Sequence, residues 1–78
     1  MKVNILALDG VFDTGLATVQ DVFTTANELA DMLGLDVAPF ETKLTGVRKR
    51  IRTSQGLSVP VASSPDAGKP DWIVVPAI

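Results

Sequence analysis

Seventy-eight residues and 8.2 kDa make at most one small domain, and the absence of Cys and His removes disulfide scaffolds, Cys/His zinc sites and any use of a thiolate or imidazole belonging to this chain. A hydrophobic content of 46% against 21% charged residues is that of a globular domain, and no apolar run approaches the roughly 18 residues that a membrane span needs. The net charge of −2 gives no long-range attraction for nucleic acid, so any DNA contact is expected from a segment outside this chain.

In chain order, residues 3–8 form an apolar run interrupted by Asn4 and ended by Asp9-Gly10, the pattern of a strand buried on both faces with a turn at its C-terminal end. The short apolar start, which meets Asp9 at once, argues against a secretory signal, and a cytoplasmic location is expected. Over residues 16–33, Leu16, Val19, Val22, Phe23, Ala26, Leu29, Ala30 and Leu33 recur at steps of three and four, which predicts an amphipathic helix. Asp13 or Thr14 is placed to cap its first amides, and Gly34 to close it in the left-handed region. Residues 35–44, around Pro39, suggest an edge-like second strand ending near Thr45-Gly46. Residues 50–53 and 57–61 flank Ser54-Gln55-Gly56 and predict a hairpin. Residues 63–70 read as a loop, and residues 71–76 repeat the buried-strand signature.

Two continuous apolar strands imply a parallel sheet with helices on both faces, yet the sequence supplies one long helix. The expectation is therefore an α/β chain that forms the N-terminal part of a larger domain, with one face of the sheet and one strand edge left bare.

Ligands of open α/β sheets bind beyond the C-terminal ends of the strands, which directs attention to residues 9–18 and 76–78 as two loops meeting at one rim. The candidate ligand-binding residues there are Asp9, Gly10, Asp13, Gly15, Pro76 and Ala77. Asp9-Gly10 can orient a ligand or serve only as a turn, and Asp13 can be a binding carboxylate or a helix cap. The triplet Asp13-Thr14-Gly15 matches the aspartic protease signature, but that triplet belongs to an all-β setting and here precedes a long helix-periodic run. Gly10 and Gly15 do not make a dinucleotide-binding fingerprint, and no phosphate-binding Walker loop is present. Arg48-Lys49-Arg50 and Arg52 read as a solvated hairpin entry rather than a nucleic-acid patch, and Trp72 as a core or interface residue. No catalytic residue, metal ligand or cofactor is assigned.

Four segments carry a family resemblance: residues 3–11 (Val-Asn-Ile-Leu-Ala-Leu-Asp-Gly-Val), Asp21-Val22-Phe23 with Ala26-Asn27, residues 52–59 (Arg-Thr-Ser-Gln-Gly-Leu-Ser-Val), and residues 70–76 (Pro-Asp-Trp-Ile-Val-Val-Pro). In that order and spacing the chain resembles the ThiJ/PfpI-like, class I glutamine amidotransferase-like domains, especially those at the N-terminus of AraC-type transcriptional regulators. The resemblance implies a flavodoxin-like sheet of which residues 1–78 are the first part, a homodimer, and a helix-turn-helix DNA-binding domain outside this chain. Related enzymes use a Cys nucleophile that would lie beyond Ile78, assisted by an acid near the start of the first helix and by backbone amides after the Val-Val-Pro strand.

Two positions depart from that pattern. The helix-start acid of the relatives aligns with Gly15, and the Gly usual after Val-Val-Pro is Ala77, followed by Ile78. Loss of the acid removes a hydrogen-bond partner and the pKa tuning of a thiolate, and side chains after the strand crowd the amides an oxyanion needs. The resemblance therefore implies a non-catalytic domain that senses an unknown small molecule and dimerises, with no membrane partner. The alternative it leaves is a ThiJ/PfpI-like enzyme, isonitrile hydratase-like or amidase-like, in which Asp13 replaces the missing acid.

Overall fold

The computed structural model describes residues 1–63 and 68–78. The element order is β1 (Lys2–Leu6), α1 (Asp13–Met32), β2 (Glu41–Gly46), β3 (Arg50–Arg52), β4 (Ser58–Pro60), β5 (Ala62–Ser63) and β6 (Trp72–Val74). Four strands make a parallel sheet in the order β5-β2-β1-β6, while β3 and β4 pair separately as an antiparallel hairpin. The β2-β1-β6 order is the beginning of a flavodoxin-like sheet, in which the ligand crevice lies where the chain switches from one side of the first strand to the other. That switch falls between the C-terminal ends of β1 and β6.

Alternation along a strand and equal register in parallel pairs assign the faces. Val3 and Ile5 stand beside Trp72 and Val74 of β6 and, for Ile5, Leu44 of β2, whereas Asn4 stands beside Ile73 and Lys43 on the opposite face. Helix α1 covers the first face, where its Phe23 meets Val3, Trp72 and Val74 around one apolar pocket. The second face carries no helix among the described residues. Ile5, Ala7, Val11, Leu16 and Ile51 form the buried core, with Val19, Leu44, Val59 and Val61 packed against it. This core sits at the C-terminal end of β1, directly below the loops of the candidate rim, and Ile51 brings the hairpin into it.

Helix α1 begins earlier than its apolar periodicity, because Asp13 to Gly15 are already helical. Neither Asp13 nor Thr14 caps it. Phe12 occupies the capping position, no side chain bonds to the first amides, and the Asp13 carboxylate is drawn away to the hairpin. The far end behaves as the sequence predicts: Gly34, at φ +67°, donates its N–H to Asp31 O at 3.1 Å, and the Leu35 N–H reaches Ala30 O at 2.9 Å. This double bond pattern satisfies carbonyls that the last helical turn leaves open.

The second strand differs from expectation in place and position. It starts at Glu41, and it is an interior strand, since β5 pairs with its far side through Thr45↔Ala62 and Gly46↔Ser63. The strand is delayed because Asn27 of α1 captures Phe40: its Nδ2 donates to Phe40 O at 2.9 Å and its Oδ1 accepts the Phe40 N–H at 2.8 Å. The Phe23 and Phe40 rings meet edge to face with centroids 5.0 Å apart, which fixes the same junction by packing. Gly46 permits the close passage of β2, since a Cβ there would sit 2.9 Å from Ala7 O and 3.2 Å from Val61 Cγ2.

Ser63, assigned to a loop on composition, ends the short strand β5, and most of the rest of that loop, residues 64–67, lies outside the described residues. The last strand pairs with β1 in parallel as expected but is not buried on both faces: Trp72 and Ile73 are each 62% exposed and Val75 is 60% exposed. An apolar run reports what a strand can bury, and here the elements that would cover it are not among those described.

Replacing Asn27 by Ala leaves the Phe40 amide and carbonyl without their partners in a half-buried junction, and is expected to lower the unfolding free energy by about 1–3 kcal/mol. Urea unfolding followed by circular dichroism measures it, with a shifted midpoint and an unchanged slope as the expected result.

Candidate functional site

The site is built from the turn after β1, the first turn of α1, the tip of the β3–β4 hairpin and the segment after β6. Backbone bonds hold the first and third together. The Gly10 N–H donates to Arg52 O at 2.8 Å and the Ser54 N–H to Val11 O at 2.9 Å. Side chains add to them: Asp9 Oδ1 accepts the Arg52 N–H at 2.9 Å, and Asp9 Oδ2 pairs with the Arg48 guanidinium at 3.4 Å. The Arg48–Asp9 pair lies in solvent, with side chains 73% and 51% exposed, so screening leaves it little energetic weight and the Arg52 amide bond is the more telling contact.

Asp13 is the centre of the arrangement. Its Oδ2 accepts the Thr53 hydroxyl at 2.6 Å, and its Oδ1 accepts the Ser54 hydroxyl at 3.2 Å and the Gln55 N–H at 3.1 Å. Thr53 is itself buried and organises the hairpin tip, because its Oγ1 accepts the Leu57 N–H at 3.0 Å while its backbone bonds to Leu57 and Gly56. The Thr53 hydroxyl leads the causes that hold the Asp13 carboxyl below its ordinary value of 3.8; partial desolvation opposes it, and the Gln55 amide and Ser54 hydroxyl reinforce it. A carboxylate so held is engaged by the hairpin through both of its oxygens.

Phe12, Asp13, Thr14, Gly15, Ser54 and Gln55 line a cavity of about 270 Å³ open to solvent. Of the residues singled out from sequence, Asp13 and Gly15 line this cavity. Asp9 and Gly10 lie beneath the hairpin, joined to Arg52. Pro76 is buried, and Ala77 reaches the same rim through its carbonyl, which accepts the Phe12 N–H at 3.0 Å. The two loops do meet, as expected. Thr53, Ser54 and Gln55 were not singled out as site residues from sequence, although the pairing of two hydroxyl residues with a glycine-ended turn is the kind of signal that can mark a carboxylate clamp. The basic residues Arg48, Lys49, Arg50 and Arg52 are exposed, and three of them are spent on local bonds to Asp9, Ser58 Oγ and Gly56 O.

Among the described residues no three His, Cys, Asp or Glu side chains converge as a cation site. No helix of the described residues is long and apolar enough to cross a membrane.

No family model matches the chain, and no curated protein matches it in sequence. Among solved structures it is similar to an AraC family transcriptional regulator from Pseudomonas putida, with a TM-score of 0.74 over 97% of this chain at 20% identity. At that identity the likeness establishes a shared fold. The chain spans 46% of that regulator's length.

The Asp13 bonds make stability depend on acid in a defined direction. A folded-state pKa below the unfolded one contributes stability that is complete above the ordinary value of 3.8 and is lost as pH falls through the lower folded value. Asp13→Asn is therefore expected to be less stable than the parent at neutral pH, with the two curves converging below pH 3.8. Urea midpoints measured across that range decide it, and a gap that stays constant with pH would remove the charge of Asp13 from the clamp.

Proposed function

We propose that this chain is the N-terminal part of a non-catalytic, ligand-sensing domain of an AraC-type transcriptional regulator, of the ThiJ/PfpI-like kind. A small molecule binds at the rim formed by Asp9-Gly10, Asp13 to Gly15, the hairpin tip and Pro76-Ala77. The protein works as a cytoplasmic homodimer, and DNA is bound by a segment outside these residues. The observation that carries the reading is the engagement of Asp13 by Thr53, Ser54 and Gln55 beside a Gly15 that offers no carboxylate. A rim without a free acid is suited to holding a polar molecule and poorly suited to moving protons. The position of the rim at the switch between β1 and β6 supports it. So does the fold shared with the Pseudomonas putida regulator.

The enzyme reading requires Asp13 to leave the hairpin and turn toward a nucleophile supplied from elsewhere. That movement breaks three hydrogen bonds, including the 2.6 Å bond from Thr53.

The test is to titrate the 15N-labelled chain with a library of small polar metabolites, namely sugars, amino acids and amides. Binding members are expected to shift the amides of Gly10, Thr14, Gly15, Gln55 and Ala77 together. Shifts confined to other parts of the chain overturn the rim as the binding site. For the protein expressed from its native gene, specific DNA binding altered by the same ligand supports the regulator, whereas turnover of an amide or isonitrile abolished by Asp13→Asn would favour the enzyme.

A further inference from the structure

The net charge of −2 averages over two regions of opposite sign. Residues 47–63, which hold β3, β4 and β5, contain Arg48, Lys49, Arg50 and Arg52 and no acidic residue. Helix α1 is the reverse, with Asp13, Asp21, Glu28 and Asp31 and no basic residue. The basic run that reads from the sequence as a solvated hairpin entry acquires a face when the hairpin forms, because alternation along its strands sorts the side chains. Ile51 and Val59 stand opposite each other and turn into the core. Arg50, Arg52, Ser58 and Pro60 therefore make the outer face, and all four are exposed.

Two guanidiniums on that face are oriented without being neutralised. Arg50 Nη1 donates to Ser58 Oγ at 3.0 Å and Arg52 Nη2 to Gly56 O at 3.3 Å. Both acceptors are uncharged, so each guanidinium keeps its full charge and its remaining donors. Arg48 differs, since its exposed partner is the Asp9 carboxylate. Alternate residues of a strand are about 6.6 Å apart, which sets the Arg50 and Arg52 forks in line along one strand. A protein partner needs an apolar centre to its interface, and between its arginines and Ser58 this face offers only Pro60. A phosphodiester backbone is held instead by arginine forks and hydroxyls, with counterion release as the driving force. The face is also remote from the sheet edge left bare at β6, which stands at the opposite end of the strand order from β5, to which the hairpin leads.

We infer that the outer face of the β3–β4 hairpin, through Arg50 and Arg52, holds the phosphate backbone of double-stranded DNA without reading its sequence. The contact adds to the DNA-binding segment outside these residues and rests on that part of the proposed function. It is independent of the ligand. A chain of net negative charge exerts no long-range pull on DNA, so the hairpin acts as a second clamp on a duplex that the other segment has already brought close.

The protein expressed from its native gene tests this by fluorescence anisotropy with a random-sequence duplex over a series of salt concentrations. Each phosphate contact steepens the fall of affinity with salt, so the double variant Arg50→Gln/Arg52→Gln is expected to flatten the logarithmic slope by about 2. Between about 50 and 200 mM salt the parent then loses about tenfold more affinity than the variant. Lys69→Gln, which removes a charge from the segment leading to β6, is expected to leave the slope unchanged. A parent that binds DNA with the same slope as the double variant overturns the hairpin contact and leaves the regulator standing, whereas a parent that binds no DNA overturns both. A second measurement needs no variant. The 15N-labelled 78-residue chain, titrated at low salt with the same duplex, is expected to shift the amides of residues 49–52 and Ser58 together. No shift there overturns the contact, and equal shifts with polyglutamate at matched charge overturn DNA as the occupant in favour of an acidic peptide.

Discussion

The bond network between Asp13 and the hairpin tip is the constraint on which the arrangement of this chain turns. The hairpin is not part of the parallel sheet; β2 and β5, which pair with each other, hold its open end, and the ladder leaves its tip unplaced. What fixes the tip is a polar clamp and an apolar plug acting at one place. Asp13 takes three donors from residues 53–55, the turn after β1 exchanges bonds with Arg52 and Ser54, and Ile51 enters the core beside Val11 and Leu16. The two halves of this arrangement lie side by side in the chain. The Thr53 hydroxyl that gives the shortest of the Asp13 bonds is buried, two residues along the chain from the buried Ile51. The cavity between the first turn of α1 and the hairpin tip is the space this clamp leaves open.

A clamp of this kind is hard to see in sequence, because its partners are 40 to 42 residues apart and local rules compete for the same residue. At a helix start, the local preference assigns an Asp to capping; here the longer-range hydroxyls outbid the first amides, and Phe12 is left in the capping position with no side-chain bond. What was legible was whatever depends on neighbours a few residues away. The apolar run of β1, the three-and-four spacing of α1, the Gly34 stop and the glycine turn of the hairpin all lie where the sequence puts them. What was not legible depended on distant partners. Asn27 postpones the second strand by bonding both backbone groups of Phe40, and the two-residue strand β5, too short to show a period, makes that strand an interior one.

The same contrast separates the two ends of the sheet. At the C-terminal ends of its strands the core is buried and the loops are cross-bonded. At β6 and along the outer stripe of α1, large apolar side chains stay in solvent. The sequence signature of a buried strand at residues 71–76 states a capacity for burial, and burial itself requires covering elements that α1 alone does not provide. A parallel sheet is stable with both faces covered, and with one helix among the described residues the burial concentrates around the place where helix, strand and hairpin converge.

That concentration bears on the chemistry of the rim. A general acid must carry a proton at working pH, and a general base must be free to take one. Asp13 fails on both counts in this geometry: its carboxyl is held below the ordinary carboxylate value, so it is ionised at neutral pH, and its oxygens already accept the Thr53 and Ser54 hydroxyls and the Gln55 amide. The groups left to meet a bound molecule are the Phe12 ring, half exposed, the Thr14 hydroxyl, the Gln55 side chain and the opening backbone of α1 beside Gly15. On the proposed reading these would recognise a ligand by shape and hydrogen bonding. The carboxylate that reads from the sequence as a ligand-binding group or a helix cap is instead bonded to the hairpin tip, and so sets the spacing between the helix and the tip on either side of the cavity.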